Sequence, residues 1–158
     1  MLIICMHWGA ADEVYARLSK GFEPIENGQR VACLVAEPME PFLRDPPLDH
    51  FCNLAVVMHD VFVNALFAEP GKQILSVPYN ADTLFNRSES QEFRFAFGHS
   101  KAAIKGVLTA LPLDRFDWVY MIHDSNFSDP RPRQLELVWR DNKDDTSLYR
   151  IHHDPTPH

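Results

Sequence analysis

At 158 residues, with 46% hydrophobic and 23% charged side chains, the chain has the size and composition of one soluble globular domain. These figures exclude a low-complexity or disordered polymer and a bundle of membrane spans. Acidic residues outnumber basic ones 22 to 15, and the net charge of −7 repels phosphate, which argues against a nucleic-acid binder and leaves room for a basic protein partner.

Leu2 to His7 is short, partly β-branched and closed by Trp8-Gly9, which predicts a buried first strand. Ala11 to Lys20 places Val14, Tyr15 and Leu18 at helical spacing. Asp12 and Glu13 lie in its first turn, Lys20 in its last, and Gly21 follows as the expected C-terminal cap. Val31 to Ala36 reads as a second strand between Asn27-Gly28 and Pro38. From Glu37 to His50 the prolines at 38, 41, 46 and 47 forbid a continuous helix or a central strand. An irregular connection is expected there, with room for one helical turn around Pro41 to Arg44. Cys52 to Phe67, apolar at Leu54, Val57, Val61, Ala65 and Phe67, predicts a long buried helix. Its β-branched residues also allow a strand through Val57.

Gln73 to Val77 is a short strand ended by Pro78, and Asn80 to Arg87 has room for a helical turn. Phe93, Phe95 and Phe97 alternate with Arg94 and Ala96, a strand pattern. Ser100 then caps a helix from Lys101 to Leu111, striped by Ile104, Val107, Leu108 and Leu111 and stopped by Pro112. Asp117 to His123 is the clearest strand. Gln134 to Arg140 and Ser147 to His152 flank the polar run from Asp141 to Thr146, the signature of a hairpin. The expectation is a single α+β domain over residues 1–152, with a frayed tail at 153–158. Its sheet is antiparallel or mixed, with helices mainly on one face and a C-terminal β-hairpin.

The three cysteines, Cys5, Cys33 and Cys52, show no CxxC or metal-ligand spacing, and two lie inside the apolar runs LIICM and VACLVA. They read as reduced, buried thiols, hence a reducing compartment. The apolar run at Leu2 to Met6 is shorter than the roughly 7–15 residues of a secretory signal, and no stretch reaches the roughly 18 needed to cross a bilayer. The expected location is cytoplasmic, with no membrane association.

Chemistry-bearing motifs are few. His-Asp pairs stand at His59-Asp60, His123-Asp124 and His153-Asp154. Metal-dependent phosphohydrolases of the HD superfamily use such a pair with a distant carboxylate, so His59, Asp60 and Asp124 form an alternative metal set, with His50 nearby. The strand character of the C-terminal third departs from that all-helical family. His123-Asp124-Ser125 holds the residue types of a nucleophilic triad, but adjacent residues cannot adopt triad geometry, and a turn is the simpler reading. The six glycines are scattered singly, so no phosphate-binding loop and no cofactor is expected.

Acidic placement is more informative. From Glu23 to Asp49 six carboxylates face only Arg30 and Arg44, and Asp141, Asp144 and Asp145 gather at the hairpin tip. Carboxylates on surface connections steer a basic protein and pair with its Lys and Arg side chains. The expected partner-binding residues are Glu37, Glu40, Asp45 and Asp49, followed by Asp124 and Asp129.

Trp8-Gly9, the acidic helix with Tyr15, Phe97-Gly98-His99-Ser100 and the strand Val119-Tyr120-Met121-Ile122 leading to Asn126-Phe127 together resemble the immunity proteins of bacterial polymorphic-toxin systems. The resemblance covers about 50 residues at the two ends and does not account for the Pro-rich middle. It implies a non-enzymatic binding protein that neutralises a cognate bacterial toxin. A secretion chaperone or adaptor is a related possibility.

Overall fold

A computed structural model describes residues 11–36, 48, 51–64, 93–95, 106, 108–109, 111–122, 133–143 and 145–153. Helix α1 (residues 11–18) tightens into a 3-10 turn at Ser19–Phe22, and strand β1 (Arg30–Ala36) follows. Next come α2 (Asn53–His59), β2 (Phe62–Val63) and β3 (Phe93–Phe95). Residues 106 and 108–109 are helical, and a 3-10 turn at Leu113–Arg115 leads into β4 (Trp118–Ile122). The hairpin of β5 (Leu135–Asp141) and β6 (Thr146–Ile151) completes the described chain. Leu2–His7, Gln73–Val77 and Asn80–Arg87 lie outside the described residues.

The strands form one mixed sheet, so the expected α+β architecture with a C-terminal hairpin is the observed one. β1 and β4 pair in parallel at its centre; β6 and then β5 continue antiparallel beyond β4. On the other side of β1, β2 pairs with Arg30 and Val31, and β3 with Leu34 to Ala36. The gap between those two short strands falls at Ala32 and Cys33. Asn64, itself buried, fills it: its Oδ1 accepts from the Cys33 N–H at 2.6 Å and its Nδ2 donates to the Cys33 carbonyl at 3.3 Å. One side-chain amide thus replaces a missing strand residue and satisfies backbone groups that would otherwise be orphaned in the core.

Parallel strands must be covered on both faces, and all five residues of β4 are buried. Alternate residues of β1, β4 and β6 enter two separate cores. Val31, Cys33, Trp118, Tyr120, Ile122 and Leu148 meet Leu18, Phe22, Phe51 and Ala55 on the face covered by α1 and α2. Ala32, Leu34, Val119, Met121, Tyr149 and Ile151 meet Leu108, Leu111 and Phe116 on the other. The expected stripe on the Lys101–Leu111 segment is therefore seen at its last two members.

The first core is an aromatic stack. Tyr15 lies on Phe51, Phe51 and Phe22 both meet Tyr120, and Tyr120 stacks on Trp139, with centroids 4.8–6.2 Å apart. The buried Tyr120 hydroxyl donates to the Leu18 carbonyl at 2.9 Å. Burial, reinforced by the charge of Asp141, pushes the phenol far above its ordinary ionisation range.

Several expectations need correction here. Gly21 does not end an α-helix; it sits inside the 3-10 turn, where a Cβ would come within 2.8 Å of both Trp139 and Tyr120. Its role is close approach. The long helix from Cys52 to Phe67 stops at His59: Asp60 adopts a left-handed conformation (φ 49°), and Phe62 instead bonds through its N–H to Gln29 at the sheet edge. Residues 65–67 lie outside the described residues. Asp141 does not tip the hairpin as a free carboxylate. Its side chain is only 10% exposed and accepts from Arg17 Nε at 3.1 Å, tying α1 to β5. The cysteines are not all reduced either, because Cys33 on β1 and Cys52 before α2 are joined in a disulfide. No spacing rule revealed that bond, since only the fold makes those two positions neighbours.

Candidate functional site

Helix α2 is the element on which a functional surface can be built. It has seven residues, well under the length at which a helix is stable in water unaided. Cys52 at its start offers no side-chain cap, so packing must hold it. Three anchors do so: the Cys33–Cys52 bond, the buried Ala55, and Phe51, stacked between Tyr15 and Phe22 just ahead of the first turn. At the other end the Asp60 N–H returns to the Val56 carbonyl, and the Asp60 carbonyl accepts from Gly28 at 3.0 Å. Gly28 meets it from a tight turn at φ 80°, a conformation suited to glycine.

At 100° per residue, Cys52, Ala55, Val56 and His59 share the inward side of α2. Leu54, Val57 and Met58 share the outward side at i, i+3 and i+4. These three are 39%, 84% and 49% exposed. Single exposed aliphatics are ordinary on protein surfaces, but three adjoining ones on a two-turn helix make a continuous apolar stripe. Leu54 and Val57 were expected to be buried in the long helix, and the structure turns both to the surface. An apolar helical surface of this spacing is suited to anchoring a partner side chain or groove.

The chain reaches this helix through the acidic connection. Residues 37–50, with Glu37, Glu40, Asp45 and Asp49, join the end of β1 to Phe51. Within that connection Leu48 is buried in the first core, and its carbonyl accepts from the Phe51 N–H at 3.0 Å. The four expected carboxylates themselves lie outside the described residues, as do Asp124 and Asp129. Of the alternative metal set, Asp124 lies outside them too. His59 faces inward, with its Nε2 buried and without a hydrogen-bond partner, while Asp60 is exposed and serves as the helix C-cap. His59 and Asp60 therefore lie on different sides of the helix end, one inward and one exposed. Among the described residues, no three His, Cys, Asp or Glu side chains cluster as a metal group.

The N-terminal ends of β1 and β4 carry a second polar group, whose role is structural. Asp117 accepts from the Arg30 backbone N–H at 2.8 Å and from its guanidinium at 3.2 and 3.3 Å. Gln29 accepts from the Trp118 indole at 2.7 Å, and Arg150 lies over the same ring. These bonds seal the start of the parallel pair.

No family model, curated protein or solved structure matches the chain. Among the described residues, no helix is long and apolar enough to cross a membrane.

Proposed function

We propose that the chain is a non-enzymatic binding protein of the immunity type, which neutralises a basic bacterial toxin by covering its active surface. The observation that carries this reading is the outward apolar stripe of Leu54, Val57 and Met58, placed directly after an acidic connection. Interfaces combine a few desolvated apolar anchors with a polar rim, and these two features supply one of each. The anchors fill an apolar depression on the toxin. Glu37, Glu40, Asp45 and Asp49 pair with the toxin's Lys and Arg side chains, as do Asp124 and Asp129. In this reading the protein acts without cofactor or catalysis.

The test uses the toxin proposed as partner, co-produced in a bacterial host and also purified. The wild-type protein protects the host. Reversing Glu37, Glu40, Asp45 and Asp49 to lysine abolishes protection, and the affinity of the wild-type pair weakens as salt is raised. Unchanged protection by the four-lysine variant would overturn the acidic rim. Tight binding that is insensitive to salt would do the same.

A further inference from the structure

We propose that the Cys33–Cys52 disulfide is a thiol–disulfide latch that fixes α2, so that presentation of its apolar face depends on the oxidation state of this pair. The inference rests on the reading of α2 as the docking element and adds to it a means of control. The two ends of the bond are unequal. Cys33 lies mid-strand in β1, its N–H and carbonyl both held by Asn64 and its neighbours paired with β2, β3 and β4. Cys52 sits at the uncapped start of a seven-residue helix. The bond therefore connects a rigid point of the sheet to an element that cannot hold its own shape. It also closes a 19-residue separation containing the whole acidic connection. Both features of the proposed docking surface thus begin at one covalent link.

The sulfurs are buried, with Cys33 2% and Cys52 1% exposed, so exchange with a thiol in solution requires local opening. Closure removes two electrons and two protons from the two thiols and passes them to a disulfide oxidant, such as oxidised glutathione or an oxidoreductase, which becomes the corresponding dithiol or thiol pair. Opening by dithiothreitol is the reverse: two cysteine thiols form, and the reagent leaves as its cyclic disulfide. When the latch is open, α2 retains the packing of Phe51 and Ala55 and loses its link to β1. Amide exchange in α2 then rises ~10-fold or more, because a cross-link of this loop size accounts for a large share of the stability of a marginal element. Exchange in β4, held by ladders on both sides, rises less.

The experiment compares the full chain refolded with oxidised glutathione against the same protein reduced with dithiothreitol, and against Cys52→Ala. Thiols are counted by alkylation in denaturant, and amide exchange is followed in α2 and β4. The expected result is one alkylated cysteine in the oxidised protein and three after reduction, with α2 exchange accelerated in both the reduced protein and Cys52→Ala. Three free thiols in the oxidised sample would overturn the proposal. So would α2 exchange independent of redox state, or equal acceleration in β4, which would make the bond a global staple. None of these readouts involves a partner. The docking reading fails separately, if Val57→Asp protects cells from the toxin proposed as partner as well as the wild type does.

Discussion

The aromatic layer around β4 and the outer surface of α2 use apolar side chains in opposite ways. In the first, Tyr15, Phe51, Phe22, Tyr120 and Trp139 pack ring to ring, and the tyrosine hydroxyl that burial would strand is bonded to the Leu18 carbonyl. In the second, Leu54, Val57 and Met58 turn outward from the helix, Val57 the most exposed at 84%. The first set accounts for stability. The second is the outward apolar surface on which the proposed binding role rests. Substitutions in the layer should therefore cost stability, whereas substitutions on the stripe should cost only binding.

The largest effect belongs to Tyr120→Ala, which empties the centre of the stack and removes the bond to Leu18. About 3–5 kcal/mol of stability should disappear in urea unfolding, enough to unfold a marginal domain. The same residue gives a pH dependence. Its phenol is raised in the fold, while the unfolded chain ionises near the ordinary value of 10.0. Stability due to this group is complete below pH 10.0 and falls as the pH climbs above it, a slope that Tyr120→Phe should abolish in alkaline unfolding curves.

Asn64→Ala comes next. It leaves the N–H and carbonyl of Cys33 unpaired in the core, a loss of roughly 2–4 kcal/mol on the usual cost of two orphaned polar groups. Gly21→Ala follows at about 1–3 kcal/mol, because the added methyl collides with both Trp139 and Tyr120. Thermal unfolding of the two variants checks the order, at about 2–4 °C per kcal/mol for a chain of this size. A neutral Gly21→Ala would show that the layer has slack and would weaken the contrast.

Much of this architecture was legible in the residues. Trp118 to Ile122 is a run of strand formers apolar on both sides, which is what a central parallel strand requires, and the hairpin followed from two strand-like runs around a polar turn. The end of α2 was not legible. Val61, Phe62 and Val63 continue the helical apolar pattern, and only the pairing of Phe62 and Val63 with β1, made possible by the left-handed Asp60, draws them into the sheet. Asn64 and the Cys33–Cys52 bond were hidden for a related reason. Each joins positions 19 or more residues apart whose proximity exists only after β1 and α2 have packed. The outward turn of Leu54 and Val57 was not legible either, because apolar identity at helical spacing shows that a helix has a face, not which way the face points. The acidic connection could be read as a charge pattern, and the described residues add where it begins and ends.

The smallest effect on stability, and the largest expected on function, is Val57→Asp. A carboxylate at an 84% exposed helical position should change the unfolding free energy by no more than about 0.5 kcal/mol. Titration of the purified toxin proposed as partner with the wild-type protein and with Val57→Asp tests the central claim most directly. A variant that folds as stably as the wild type but binds ~10-fold or more weakly is the predicted result. Equal affinity of the two proteins would contradict the assignment of α2 as the docking surface.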